Sequence, residues 1–201
     1  MIDLFKYSKK SIFYENLIKF FFKVDFEKLS KPFYICDNID LEFDPNFFYE
    51  YKKKYPSTKW MQDGENRQHY QSNHDLQNFS EIKPIIKNLE DVINKNVKKT
   101  FLDKNCSGKF SIKSLWFTIQ KENEGHSEHM HPKSLLTGVY YFQVDENSGG
   151  LININLESKK IKHEPKKHDL LIFNSNLMHS VDKYYGKNDR IAVAWDAIYT
   201  F

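Results

Sequence analysis

The residues best suited to chemistry are two histidines, His129 and His131, which are separated by one position. Neutral imidazole is the commonest metal ligand in proteins. Side chains two positions apart project from the same face of an extended chain. The residues that follow, 135–142, include Thr, Val, Tyr and Phe, which favour a strand. The pattern therefore predicts two metal ligands side by side at the entrance of a strand.

A metal site of this kind needs a third ligand from elsewhere in the fold, and His179 is the candidate. It follows a short apolar run, 169–173, that is typical of a buried strand, and then a polar turn. Arg190 opens another strand-like run soon afterwards. Because the chain has only two arginines against 28 lysines, we interpret this arginine as a specific site for a carboxylate, which its planar guanidinium binds with two donors.

These motifs, taken in order, resemble those of the iron(II)- and 2-oxoglutarate-dependent dioxygenases. The order is HxH, then TGVYY, Gly-Gly, an apolar strand, His and Arg. The most similar group is a bacterial and phage set of oxygenases with an H-x-H-P…[ST]-G-V-Y-Y motif, related to the prolyl hydroxylases. The resemblance spans roughly residues 56–201 and is strongest from Trp116 onward. It implies a double-stranded β-helix, a jelly-roll or cupin-like fold, with the metal at one open end.

The resemblance also implies the cofactors and the reaction. Fe(II) would be held by His129, His131 and His179, and 2-oxoglutarate and O2 would be the cosubstrates. Oxidative decarboxylation of 2-oxoglutarate to succinate and CO2 would be coupled to hydroxylation of a second substrate. That substrate is left open between a small molecule and a protein side chain.

One ligand departs from the broad superfamily, in which the second position of the strand pair is usually Asp or Glu. His131 makes the predicted triad all-histidine unless a carboxylate arrives from elsewhere. His126 and Glu128 form an alternative H-x-E pair. Their parity is opposite to that of His129 and His131, so a continuous strand could not present both pairs to one pocket. We therefore rank the H-x-E pair second.

Three residues are expected to bind 2-oxoglutarate. Arg190 would bind the distal carboxylate, in a space left by the small Ala192 and Ala194 on the same strand face. Many relatives have a hydroxyl residue where Ala192 stands, so a compensating donor is expected. Tyr141 is that donor, because prolyl-hydroxylase-like enzymes place a cosubstrate-binding Tyr there, and Thr137 shares its strand face. Core packing is the competing interpretation for Tyr141.

Two other functions remain open. One is a three-histidine, cupin-like metalloenzyme that does not use 2-oxoglutarate. The other is a non-catalytic β-sandwich binding module that has kept the strands and lost the redox chemistry. The remaining histidines, His69, His74, His163 and His168, have no comparable neighbours in the motif. His168 stands where the family usually has Gly before this strand's Asp, and we interpret it as a surface residue.

The composition fits a globular protein of 201 residues, with 40% hydrophobic and 16% aromatic residues. The net charge is +3, and the lysines are scattered among 27 acidic residues, which argues against a nucleic-acid partner. Two distant cysteines fit a reducing compartment. There is no evident signal peptide or membrane span, so we expect a cytoplasmic protein.

The elements that must position the site are mostly strands. Residues 110–116 alternate as a half-buried strand, residues 152–156 do the same, and at least seven short strands with turns predict an all-β barrel or sandwich. Before them, an apolar stripe predicts an amphipathic helix over about 81–99, with Ser80 as its N-cap and Pro84 in its first turn.

The N-terminal part is aromatic-rich and carries no clear motif. Helical spacing suggests a helix near 13–24, a second helix beginning near Phe47 and ending before Pro56, and a polar segment, 59–78, that could form a lid. We expect one domain over 1–201, in which residues 1–105 form a mostly helical support and residues 106–201 form the β core with the metal site.

Overall fold

The computed structural model describes residues 33–36, 39–56, 69–97, 108–155 and 160–200. Within these ranges ten strands form two antiparallel sheets. The strands are β1 Phe33–Cys36, β2 Tyr70–Gln71, β3 Lys109–Gln120, β4 His126–His129, β5 Leu136–Gln143, β6 Ile152–Asn155, β7 Lys160–His163, β8 Leu170–Asn174, β9 His179–Val181 and β10 Arg190–Thr200. The mainly β architecture predicted from the sequence is confirmed.

The larger sheet has the strand order β1-β8-β5-β10-β3-β2, and the smaller has the order β4-β9-β6-β7. Both sheets line one shared cavity, so they face each other. The two longest strands, β3 and β10, pair along their whole length at the centre of the larger sheet, and β5 pairs with the other edge of β10. These three strands form the floor of the cavity, from which most of the site residues project.

Alternation along the three central strands decides which side chains face the cavity and which face the helices. Phe117, Ile119, Val193 and Trp195 are at most 1% exposed and belong to the core on the helical side of the sheet. The intervening residues of β3, β5 and β10 point into the cavity between the sheets. Alternate residues of these strands therefore form the face that packs on the helices and the face that lines the cavity.

Two helices cover the outer face of the larger sheet. Helix α1 spans Asn46–Lys54 and helix α2 spans Lys83–Val92, the latter continued by a π-helical turn, Ile93–Val97. The apolar stripe of α2 is completely buried at Ile85 and Leu89. The predicted helices near residues 47–55 and 81–99 are therefore present.

The start of α2 differs from the prediction. Ser80 is not its N-cap, because a 3-10 turn, Ser80–Ile82, precedes the helix and Ile82 occupies the cap position. The Ser80 hydroxyl donates to Glu81 Oε2 at 2.9 Å instead. Pro84 does lie in the first turn, where its missing N–H costs no helical hydrogen bond.

The region N-terminal to residue 105 also contributes strands, which the sequence analysis did not predict. β1 pairs with β8 at one edge of the larger sheet, and β2 pairs with β3 at the other. The helix expected near 13–24 and the first part of the segment 59–78 lie outside the described residues. No helix in the described ranges is long and apolar enough to cross a bilayer.

Candidate metal and cosubstrate site

Three imidazoles from different parts of the chain meet at one end of the cavity. His129 is the last residue of β4, His131 lies in the loop between β4 and β5, and His179 opens β9. One ring nitrogen from each lies within 4.8 Å of those of the other two, a spacing at which all three could bind one cation. The pairing of His129 with His179 across β4 and β9 brings two of the rings together directly.

The reason for the convergence of His129 and His131 differs from the one predicted. They do not share a strand, because β4 ends at His129 and the chain then turns before β5 begins. His131 is held in its loop by a hydrogen bond from its own N–H to Ser175 O at 2.8 Å. The loop, and not the two-residue period of a strand, aims the second ring at the first.

The Nδ1 atoms of all three rings are already engaged. His129 Nδ1 lies 2.9 Å from Ser127 O, and His179 Nδ1 lies 2.9 Å from Leu177 O. His131 Nδ1 lies 3.4 Å from Asp196 Oδ1. The two carbonyl partners place the proton on Nδ1 of His129 and His179, so Nε2 carries the lone pair that a metal needs. Asp196 Oδ1 faces His131 Nδ1 without the geometry of a hydrogen bond.

Burial keeps one of these rings neutral. It lowers the pKa of His179 to about 3, and the neighbouring His129 and His131 contribute to the same shift. A metal binds neutral imidazole, so His179 needs no deprotonation at neutral pH. The donor set, three imidazoles with engaged Nδ1 atoms, fits a divalent transition metal.

The other end of the cavity holds Arg190, which is 2% exposed. Its Nη1 donates to Gln120 Oε1, and its guanidinium carbon lies 5.0 Å from the centroid of the Tyr141 ring. Burial raises the pKa of the fully buried Tyr141 hydroxyl, and the charge of Arg190 partly opposes the rise. A fixed cation beside a protonated hydroxyl is an arrangement that can receive a carboxylate.

The floor between the triad and Arg190 is made by register. Across the β3–β10 pair, Arg190 is opposite Gln120 and Ala194 is opposite Trp116. Across the β5–β10 pair, Ala192 is opposite Tyr141. All of these residues line the cavity, together with Thr137, Val139 and Thr118.

Thr137 lies on the predicted face, but its hydroxyl is committed. Thr137 Oγ1 donates to Trp195 O at 3.0 Å and the residue is 3% exposed. The oxygen can still accept a hydrogen bond, whereas the proton is used by the main chain. This contact also ties β5 to β10 beside the triad.

Strict alternation along β4 does not separate the His126/Glu128 pair from the His129/His131 pair, because β4 is not continuous. The pairing of β4 with β9 shifts register between His126 and His129. The His126 ring therefore lies 4.1 Å from that of His129, and both line the cavity. Glu128 is exposed and its Oε1 accepts a hydrogen bond from Asn155 Nδ2. The structure thus brings His126 into the site and leaves Glu128 outside the cluster.

Two further histidines, His69 and His74, line the cavity and the groove beside it. His69 is 3% exposed, its Nδ1 is 3.0 Å from Gly125 O, and its ring is 4.7 Å from that of His126. His74 stacks on Trp116, with 4.0 Å between the ring centroids. No neighbours in the motif were predicted for them, and the structure brings them to the cavity because β2 and the turn after it run beside it.

Sequence reasoning missed Gln120, Trp116 and Asp196. The signal for Asp196 was present, since it has the same parity as Arg190 along β10 and must share its face. Gln120 and Trp116 required the β3–β10 register, which depends on pairing between distant segments.

Comparisons with known proteins agree with this geometry. Residues 114–196 match the family described as "Putative 2OG-Fe(II) oxygenase". The matched segment contains all three clustered histidines, Arg190 and Asp196. No curated protein matches the sequence.

Several solved structures have the same fold. A viral collagen prolyl hydroxylase from Paramecium Bursaria Chlorella virus-1, solved with 2OG, is 18% identical with a TM-score of 0.58, over 84% of this chain and 97% of that one. A Pseudomonas putida prolyl-4-hydroxylase is 12% identical with a TM-score of 0.59, over 85% and 95%.

A prolyl hydroxylase from Trichoplax adhaerens, in complex with a hypoxia inducible factor peptide fragment, is 16% identical with a TM-score of 0.59, over 97% and 91%. At such identities these similarities establish the fold, which is the predicted double-stranded β-helix.

Proposed function

We propose that His129, His131 and His179 hold Fe(II) and that Arg190 receives 2-oxoglutarate. The proposal starts from the match of residues 114–196 to a family of 2OG-Fe(II) oxygenases. The protein is an Fe(II)- and 2-oxoglutarate-dependent oxygenase, and its reaction releases succinate and CO2 while a second substrate is hydroxylated. The observation that carries the site assignment is the meeting of three ring nitrogens within 4.8 Å.

The iron, when bound, supplies the activation of O2, and the protein supplies binding and orientation. Three side chains from one face leave the remaining coordination positions open for cosubstrate and oxygen. The small side chains of Ala192 and Ala194 leave a path along the floor from the triad to Arg190. A dicarboxylate can therefore extend from the metal end to the guanidinium.

Arg190 supports this assignment through its charge. Within the described residues no carboxylate oxygen lies within 4.0 Å of the guanidinium, and its Nη1 partner, Gln120, is neutral. A buried cation with a neutral partner favours an incoming anion, because the anion supplies the missing charge. The nearby Tyr141 hydroxyl is the second donor. Thr137 lines the cavity but does not donate to the cosubstrate, because its hydroxyl proton is used by Trp195 O.

The second substrate would bind in an outer groove that opens beside His131. This groove has a volume of about 360 Å³ and is lined by His74, Trp116, Met130, Lys133 and six other residues, among them His129 and His131. The stacked His74 and Trp116 rings offer a flat wall, and Lys133 adds an exposed positive charge at its rim. The groove is open enough for either a small molecule or a side chain of another protein.

The decisive experiment measures succinate from 2-oxoglutarate in protein loaded anaerobically with Fe(II) and then exposed to O2. We expect iron-dependent succinate release, which falls at least tenfold in Arg190→Ala, with 2-oxoglutarate affinity measured by calorimetry falling in parallel. Arg190→Lys is the matched control, since it keeps the positive charge and loses the planar guanidinium that can donate two hydrogen bonds to one carboxylate. Unchanged turnover in Arg190→Ala contradicts the cosubstrate assignment.

The all-histidine triad is also compatible with a second class of enzyme, which the same experiment tests. A three-histidine, cupin-like enzyme would bind iron and show metal-dependent activity without binding 2-oxoglutarate. Metal binding without any calorimetric signal for 2-oxoglutarate would favour that class. Failure of the protein to retain any metal after anaerobic loading would favour a non-catalytic module.

We also propose a cytoplasmic location. The support is compositional, since the sequence has two cysteines far apart and no disulfide framework. Fractionation of the source cells, with an antibody against the protein, tests it. Recovery in a secreted or envelope fraction contradicts the proposal.

A further inference from the structure

The three clustered histidines differ in what holds their Nδ1 atoms. His129 and His179 each use a neutral main-chain carbonyl two residues earlier in the chain. His131 alone has an anionic partner, since its Nδ1 lies 3.4 Å from Asp196 Oδ1. The two atoms do not have the geometry of a hydrogen bond, so the contact is one of charge. A carboxylate beside Nδ1 makes an imidazole a stronger donor to a metal than a neutral carbonyl does.

His131 is also the member of the cluster that has no strand to position it. Its ring stacks against Trp116, with 5.4 Å between centroids and 24° between planes. Its main chain is tied to Ser175 and Ser134. Asp196 Oδ1 lies 3.4 Å from Nδ1 of this ring, so its negative charge favours the ring orientation in which Nδ1 faces the carboxylate.

Asp196 is built to face this ring. It lies on β10 opposite Thr137 on one side and Ser114 on the other, and the register of β10 with β3 shifts immediately after it. Its other oxygen, Oδ2, accepts a hydrogen bond from Ser114 Oγ at 3.4 Å. The side chain is 15% exposed, and no lysine or arginine nitrogen in the described ranges lies within 4.0 Å of it. Its charge is therefore directed at His131.

From these contacts we propose that Asp196 is a positioning residue that returns, through His131, the negative charge which an all-histidine metal centre lacks. The inference rests on the proposed function. A divalent ion with three neutral imidazoles keeps its full charge of +2, whereas two imidazoles and one carboxylate reduce it to +1. Asp196 brings the net charge of the all-histidine centre to +1 as well. Its carboxylate acts through His131 and does not bind the metal itself.

The test separates the charge of Asp196 from its side-chain volume. Asp196→Asn keeps the size and shape of the side chain beside Nδ1 and removes the charge, whereas Asp196→Ala removes both. Glu128→Gln is the matched control, because Glu128 is the neighbouring carboxylate that bonds Asn155 and not a histidine. Calorimetry with Co(II) on metal-free protein should give about 10- to 100-fold weaker binding for Asp196→Asn and a change of less than about twofold for Glu128→Gln.

A second measurement detects charge itself. The midpoint potential of the iron-loaded protein should move to higher values in Asp196→Asn, because loss of a nearby negative charge favours the ferrous state. Glu128→Gln should leave the potential unchanged, and Asp196→Glu should restore it. A purely structural role would change the thermal unfolding of the metal-free protein and leave the potential where it was.

The outcomes distinguish this inference from the proposed function. Co(II) binding by Asp196→Asn at wild-type strength, with loss in Asp196→Ala, would overturn the charge argument and reduce Asp196 to a residue that packs beside the ring. Absence of Co(II) and Fe(II) binding in the wild-type protein would overturn the proposed function as well. If Asp196→Asn does not fold, Asp196→Ser supplies the uncharged variant and is judged by the same two measurements.

Discussion

The Arg190 guanidinium lies over the face of the Tyr141 ring, 5.0 Å from its centroid. Both side chains are buried, and within the described residues the Tyr141 hydroxyl and Arg190 Nε have no hydrogen-bond partner of good geometry. Buried donors are normally satisfied. The pair therefore has hydrogen-bonding capacity that a carboxylate in the cavity would use.

Tyr141→Phe should weaken 2-oxoglutarate binding and spare the fold. The variant keeps the ring under Arg190 and loses one hydrogen bond to a charged group, which is worth about 1.5–3 kcal/mol or roughly 10- to 100-fold in affinity. Calorimetry with 2-oxoglutarate on Co(II)-loaded protein measures it.

Tyr184→Phe is the control for this prediction. Tyr184 is equally buried, but its hydroxyl accepts a hydrogen bond from the Asp145 N–H at 3.1 Å. We expect this substitution to lower the thermal unfolding midpoint and to leave cosubstrate affinity within about twofold. Equal losses of affinity in the two variants would contradict a specific role for Tyr141.

The choice between His131 and Glu128 as the second ligand is tested by iron titration. Glu128→Ala should retain iron binding, because Glu128 is exposed and bonded to Asn155. His131→Ala should lose about 100-fold or more, since it removes one of three ligands. Loss of iron from Glu128→Ala with retention by His131→Ala would reverse the assignment and restore the H-x-E pair.

Gly138, the glycine of the TGVYY motif, should resist substitution for a packing reason. It lies opposite Trp195 across the β5–β10 pair, and a Cβ at this position would lie 2.1 Å from Cζ2 of the Trp195 ring. Gly138→Ala should therefore destabilise the protein by about 1–3 kcal/mol, measured by urea denaturation.

A double-mutant cycle with Trp195→Leu identifies the clash as the cause. The smaller side chain makes room, so the cost of Gly138→Ala should shrink in the Trp195→Leu background. The same cost in both backgrounds would show that the glycine is needed for some other reason.

His168→Gly should stabilise the protein. His168 has a backbone φ of +70°, in the left-handed region that glycine adopts without a steric penalty. The gain should be about 0.5–1 kcal/mol after the greater entropy of the unfolded glycine is included. His168→Ala removes the same side chain without freeing the backbone, so it should show no gain. Equal stability of the two variants would contradict the strain argument.

Periodicity predicted the elements of this fold well where the pattern is local. The alternation in β3 and β10 and the apolar stripe of α2 each depend on residues that are near neighbours in the chain. The pairing of β1 with β8 and of β2 with β3 was not predictable in this way, because two residues of β2 carry no pattern and the partners are distant.

The residues of the site were likewise predictable where they adjoin a local pattern and not where they depend on distant pairing. His179 and Arg190 could be named because each adjoins a recognisable strand. The route by which His131 reaches the cluster depends on a loop held by Ser175, and the entry of His126 depends on the irregular β4–β9 pairing. Neither irregularity follows from residue type. Strict alternation predicted that His129 and His131 lie together, which they do, but through a loop and not along one strand.

The position of β10 between β3 and β5 has a consequence for how the protein is made. The central strand β10 leaves the ribosome after both of its neighbours. Until then, the edges of β3 and β5 that pair with β10 have no partner strand on the nascent chain. The high contact order that results predicts slow assembly and a need for protection by chaperones during synthesis. Since Arg190 and Asp196 arrive with that strand, the proposed iron and diacid sites are complete only after it has been synthesised.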